Sequence, residues 1–151
     1  MVKATYSITI KRPPQDVFDL VSDPARDPEW NRNAIAVRKL SAGSAARGAR
    51  YQGTYKGFGE CELEVVDYDP PHVATIAGTN KQGSFSYSYV IEPAGDGAML
   101  REETQFSPRG ILKIMAPMMR VMLARRVKEL GEAARQHLEE TGQSPASRPG
   151  G

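Results

Sequence analysis

The sequence predicts an α+β domain in which a curved antiparallel β-sheet of about seven strands wraps around one long C-terminal helix, with two short helices between strands 1 and 2. Three observations predict it. Apolar residues alternate with polar ones in short segments between Thr5 and Phe106, most of them ended by glycine, proline or aspartate. From Gly110 to Glu140 the spacing changes: Leu112, Ala116, Met119, Leu123, Val127, Leu130, Ala134 and Leu138 stand three or four apart, one long helical stripe. An antiparallel sheet of this size has one apolar face to bury, and that stripe is the only large apolar partner in the chain.

The elements follow in order. Tyr6, Ile8 and Ile10 face one way and Thr5, Ser7 and Thr9 the other, a strand that Pro13-Pro14 stops. Pro14 suits the first turn of a short helix through Val17, Phe18, Leu20 and Val21. Ser22-Asp23-Pro24 ends it, and Asp23 or Asp27 is a candidate cap for a second short helix closing near Trp30. Ile35 to Leu40 reads as a strand and Ser41–Gly48 as a hairpin loop. Tyr51, Gly53 and Tyr55 share one strand face, and Gly57 and Gly59 make the next turn. Cys61, Leu63 and Val65 alternate with Glu62, Glu64 and Val66, and Asp69-Pro70-Pro71 turns the chain into a strand from His72 to Gly78. Phe85, Tyr87, Tyr89 and Ile91 share a face of the next strand. Leu100, Glu102, Thr104 and Phe106 share a face of the last. Pro117 lies inside the long helical stretch and is expected to kink or divide it. The single domain is expected to span 1–140, with 141–151 a disordered tail rich in small and polar residues.

Composition narrows the function. The net charge is only +2, too weak a field to recruit nucleic acid. The run Arg125, Arg126, Lys128 has no interleaved aromatics and reads as a solvated helix face. The lone cysteine, Cys61, makes neither an internal disulfide nor a multi-thiolate metal site, and reads as a small inward-facing residue. No metal and no cofactor is expected, because no metal-ligand spacing, phosphate loop or nucleophile elbow is present. No apolar run reaches the roughly 20 residues of a membrane span, so stable membrane insertion is not expected. The N-terminus enters a strand pattern directly, which makes the cytoplasm the expected location. The oligomeric expectation is a monomer or homodimer.

A bent sheet gripping one helix leaves a hollow between them, because the two short helices plug only one end. Such hollows are mostly apolar with a few polar groups. Tyrosines aimed into a fold must satisfy their hydroxyls, so Tyr51, Tyr55, Tyr87 and Tyr89 are read as pocket-lining donors to a ligand, against the alternative of ordinary core and rim residues. The expected ligand-facing set is Trp30, Tyr51, Tyr55, Leu63, Phe85, Tyr87, Tyr89, Leu100, Thr104, Met115, Met119 and Leu123. Glu102 is the candidate catalytic group: if Leu100 and Phe106 point inward, so does Glu102, and desolvation raises its pKa toward general acid–base range. The alternative is an arginine partner or a place at the wet rim. His72 reads as a surface residue. The methionine-rich stretch Met115, Met118, Met119 and Met122 is a pocket roof, a gate, a partner or membrane surface, or plain core.

Several motifs carry a family resemblance. The stretch from Ile8 to Pro24, ITIKRPPQDVFDLVSDP, is similar to the opening strand, proline and first helix of the START-like (SRPBCC, helix-grip) superfamily, in its polyketide cyclase/dehydrase and lipid-transport branch. Trp30, Gly48-Ala49-Arg50-Tyr51, Val65-Val66-Asp67-Tyr68-Asp69-Pro70-Pro71, and Tyr89-Val90-Ile91-Glu92-Pro93 with Gly95-Asp96-Gly97 resemble further family positions. Ala98 departs from the family's usual threonine. The resemblance covers about residues 3–140 and implies the helix-grip fold. It leaves function open, because the same fold serves carriers, receptors and cyclases.

Three functions follow as expectations. One is the binding of a lipophilic small molecule, a lipid, isoprenoid or polyketide-like compound, in an internal pocket. The second is a cyclase/dehydratase-type enzyme using pocket tyrosines and Glu102 for enolisation and loss of water. The third is an interaction module built on the methionine-rich helix.

Overall fold

In a computed structural model that describes residues 1–142, seven strands form one sheet in the order β1-β7-β6-β5-β4-β3-β2. They are β1 (Val2–Ile10), β2 (Ala34–Lys39), β3 (Arg50–Tyr55), β4 (Gly59–Asp69), β5 (Val73–Asn80), β6 (Gly83–Ala94) and β7 (Gly97–Pro108). All six neighbouring pairs are antiparallel. Strands β2 to β7 form a meander, whereas β1 pairs with β7 from Val2 opposite Phe106 to Ile10 opposite Ala98. The chain must therefore cross from one sheet edge to the other between β1 and β2. Helices α1 (Pro14–Val21) and α2 (Asp27–Trp30) make that crossing. Register shifts at Ala34–Ala36 and Val65–Asp67 interrupt two ladders, and such bulges bend a strand toward a grip.

Local chemistry sets the helix ends. Pro14 opens α1, where a missing N–H costs nothing, and α1 buries Val17, Phe18, Leu20 and Val21. Asp23 accepts from the Ala25 N–H at 3.0 Å and caps the 3-10 turn Pro24–Arg26. Asp27 is not a cap; its carboxylate turns inward. The final helix α3 (Ala116–Gly142) follows a 3-10 turn, Gly110–Met115. Pro117 is the second residue of α3 rather than an interior one, so the chain divides there without a kinked helix. The tail expected over 141–151 falls, from residue 143 on, outside the described residues; Thr141 and Gly142 belong to α3.

Helix α3 lies along β1 with Leu123, Val127, Ala134 and Leu138 buried. At Gly131 a Cβ would stand 2.6 Å from the Tyr6 ring, so the close approach of helix and strand requires glycine. Arg12 ties the far end: it pairs with Asp16 at 2.6 Å and donates to the Leu138 carbonyl at 2.7 Å. The apolar interior has two parts. The larger gathers α1, Trp30, the sheet face and the C-terminal half of α3. The smaller joins Val2, Ala4 and Phe106 to Leu123 and Val127. Tyr6, Phe58 and Phe85 pack against both.

Candidate functional site

A cavity of about 80 Å³ lies at the seam between these two clusters. Its sheet wall is Tyr55 from β3, Cys61 and Leu63 from β4, Phe85, Tyr87 and Tyr89 from β6, and Glu102, Thr104 and Phe106 from β7. Register explains the grouping: Phe85 stands opposite Phe106, Tyr87 opposite Thr104 and Tyr89 opposite Glu102, so period-two alternation puts all six on one face. Strand β5, whose inward residues are Ala74, Ile76 and Gly78, contributes nothing to the lining; a Cβ at Gly78 would meet the Phe85 ring at 2.5 Å. The helix wall is Leu123, Arg126, Val127 and Leu130, and Asn31 and Phe58 complete the lining.

Two carboxyls are buried here: Glu102 lines the cavity, and Asp27 stands behind the cavity residue Tyr55. Glu102 is 4% exposed, and burial pushes its carboxyl up to about 8. The Thr104 hydroxyl donates to it at 3.4 Å, a long bond, and both that bond and the charge of Arg126 oppose the rise. Asp27 is 6% exposed and is pushed up to about 7, also by burial, while the hydroxyl of the cavity residue Tyr55 donates to it at 2.7 Å. Burial raises Tyr55, Tyr87 and Tyr89, so at neutral pH they remain phenols and hydrogen-bond donors. The Cys61 thiol is pushed up to about 11 by burial, which keeps it protonated and poorly nucleophilic. The site thus offers neutral hydroxyls and one acid, Glu102, able to carry a proton near pH 7, in an apolar shell.

The mouth is built by Phe58 and Arg126. The guanidinium lies 4.3 Å from the Phe58 ring centroid and donates to the Lys56 carbonyl at 3.0 Å. The Phe58 ring also stands 6.1 Å from Phe85 and 5.9 Å from Phe106. Outside lies a groove of about 410 Å³ walled by Leu112, Met115, Met118, Met119 and Met122. Phe58, Phe106, Leu123 and Arg126 face both spaces.

Of the residues expected from sequence, Tyr55, Leu63, Phe85, Tyr87, Tyr89, Glu102, Thr104 and Leu123 come together here. The others do not. Leu100 is core, opposite Ile8 and Ile91, and Tyr51 is fully buried with its hydroxyl unpartnered. A strand advances about 3.3 Å per residue, so sharing a face with the cavity residues does not mean reaching the cavity. Trp30 is buried in the larger core cluster, its indole N–H unpartnered, and lines an outer cleft with His137. Met115 and Met119 line the outer groove and not the cavity, because α3 begins beyond the end of the hollow. Arg126 is the reverse case: expected on a solvated face, it turns to the mouth. Sequence reasoning also missed Asp27, Asn31, Phe58 and Cys61 as neighbours of the site. For Asp27 there was one signal: two carboxylates, Asp23 and Asp27, stood where one cap was needed.

Among the described residues, no group of three or more His, Cys, Asp or Glu side chains is placed to hold a metal ion, and no helix is long and apolar enough to cross a membrane.

Comparison with known proteins places the chain. The family model for polyketide cyclase/dehydrase and lipid transport matches residues 1–140. No curated protein matches the sequence. Among solved structures, the di-domain ARO/CYC BexL from the BE-7585A biosynthetic pathway is similar, with a TM-score of 0.77 and 15% identity over 95% of this chain. The chain spans 48% of that two-domain protein's length. A START superfamily protein from Mycobacterium smegmatis aligns with a TM-score of 0.75 and 14% identity, covering 92% of this chain and 98% of the other. The Polyketide_cyc-like protein Cgl2372 from Corynebacterium glutamicum aligns at 0.67 and 21% identity, covering 97% of each chain. At such identities the likeness is one of fold. With a sheet gripping its last helix and a family model matched over nearly its whole length, the chain belongs to the polyketide cyclase/dehydrase and lipid transport family.

Proposed function

We propose that this protein binds a lipophilic small molecule in the cavity between the sheet and α3. One observation carries the reading: an apolar space at the seam of the core lined by Tyr87, Tyr89, Glu102 and Thr104, with Tyr55 beside them already bonded to Asp27. A core built only for stability gains nothing from four polar side chains gathered at one apolar space. Their neutral hydroxyls and raised carboxyl suit a carbonyl or hydroxyl on an otherwise apolar ligand. The 80 Å³ cavity holds a few water molecules or a small fragment. A longer ligand is accommodated by displacing Phe58 and running out into the methionine-walled groove. Native mass spectrometry of freshly purified protein tests this. A lipophilic adduct is expected, and it should disappear in Leu63→Trp, which fills the cavity. An adduct equally abundant in that variant would reject the site.

A second reading, an enzyme of cyclase/dehydratase type, is favoured by Glu102. A carboxyl with a pKa near 8 inside an apolar pocket is protonated at neutral pH and can give its proton to a ligand oxygen. Glu102→Gln separates the readings: unchanged binding with lost turnover of a polyketone supports catalysis, and unchanged binding with no turnover in the wild type supports carriage.

A further inference from the structure

We propose that the outward face of the Gly110–Met115 turn and the first turns of α3 docks on an anionic lipid bilayer. The proposal draws on the ligand-binding reading only for what docking would serve, the loading of the cavity; its observations stand apart from that reading.

Ile111, Ile114, Met118, Val121 and Met122 are 80, 79, 58, 62 and 64% exposed. Isolated exposed apolar residues are ordinary, but five within one continuous turn and helix form a patch that water disfavours. Met118, Val121 and Met122 lie on the side of α3 opposite its buried residues Leu123 and Val127. One turn further along the same side stands Arg125.

Charge identifies the occupant. From Arg109 to Lys128 the chain carries Arg109, Lys113, Arg120, Arg125, Arg126 and Lys128 and no carboxylate; the first acid is Glu129. These six positive charges, set against a net charge of +2, leave a net of −4 on the rest of the sequence. Arg126 turns to the cavity mouth, and the other five are exposed. An apolar patch in a segment that carries cations and no carboxylate matches a surface with anionic headgroups above acyl chains, where apolar side chains enter and lysine and arginine hold phosphates. A second copy is a poor match, because a twofold contact would bring five cations onto five. The patch also borders the 410 Å³ groove, whose walls include Met118 and Met122 and which meets the cavity at Phe58. Docking there would open the groove toward the acyl chains.

Flotation of the full chain with vesicles tests the proposal, comparing phosphatidylcholine alone with a mixture containing about one-third phosphatidylglycerol. Binding is expected to the mixed vesicles and to be at least about tenfold weaker on neutral ones. Ile114→Asp with Met118→Asp should abolish it. Lys113→Gln and Arg125→Gln should each weaken it about fivefold, and added salt should do the same. Ile35→Asp, at an equally exposed site on the far edge strand β2, should leave it unchanged. No affinity for either vesicle, or affinity that survives the double aspartate variant, overturns the proposal. So does a dimer in sedimentation velocity that the same variant splits. Native mass spectrometry keeps the two readings apart: an adduct without vesicle affinity removes docking and leaves ligand binding, and vesicle affinity without an adduct does the reverse.

Discussion

The Tyr55 hydroxyl donates to the Asp27 carboxylate at 2.7 Å, joining strand β3 to the first residue of α2 across 28 positions of sequence. This bond anchors the short helix over the cavity's edge and gives a buried acid its partner. Tyr55→Phe leaves Asp27 without that donor, and a loss of about 1–3 kcal/mol is expected. Asp27→Asn, whose amide oxygen still accepts, should cost less. Urea denaturation monitored by circular dichroism measures both, and a Tyr55→Phe protein as stable as the wild type would refute the role.

The two raised carboxyls make stability depend on pH in a set direction. Their folded pKa values lie above the ordinary ones, so the folded state holds the protons more tightly. In acid both states are protonated and the groups contribute no difference. As pH climbs from 3.8 to about 7 for Asp27, and from 4.5 to about 8 for Glu102, the unfolded chain ionises first and stability is lost. Glu102→Gln removes the second contribution. Relative to this variant, the wild type should melt lower by roughly 5 °C or more at pH 8 than it does near pH 4. A gap between the two proteins that stays constant over that range would contradict the buried state of Glu102.

Phe58 separates cavity from groove and is held by the Arg126 guanidinium at 4.3 Å. Phe58→Ala should join the two spaces and speed uptake of a fluorescent fatty acid about tenfold, equivalent to removing about 1.4 kcal/mol of aromatic contact from the barrier. Stopped-flow fluorescence reads the rate. An unchanged or slower rate would show that ligand enters elsewhere.

At Gly131, helix propensity and packing oppose each other. Alanine would gain up to about 1 kcal/mol as a helix former. Its methyl, however, would stand 2.6 Å from two carbons of the Tyr6 ring. Overpacking of this kind costs about 1–3 kcal/mol, so Gly131→Ala should be net destabilising. A raised melting temperature would mean that β1 and α3 are less closely seated.

The fold was legible because its signals are local and repeated. Alternation at Tyr6, Ile8 and Ile10, the turn at Asp69-Pro70-Pro71 and the helical stripe from Leu112 to Leu138 each depend on neighbours a few residues away. Glu102 points inward for the same reason, since its direction follows from Leu100 and Phe106 on the same strand. Its depth does not follow. Period two gives a side, whereas distance along the strand decides whether a residue meets the cavity, as Glu102 does, or the packed core, as Leu100 does.

The amino-acid sequence by itself determined the order of strands and helices, the apolar face of each and the inward set on β6 and β7, because backbone geometry converts spacing directly into sides. Only the tertiary structure decided which of two aspartates turned inward, that Arg126 closed the mouth over Phe58, and that the methionines of early α3 stood outside the hollow. Those outcomes depend on where separate elements come to rest against each other, and no periodicity within one segment carries that information.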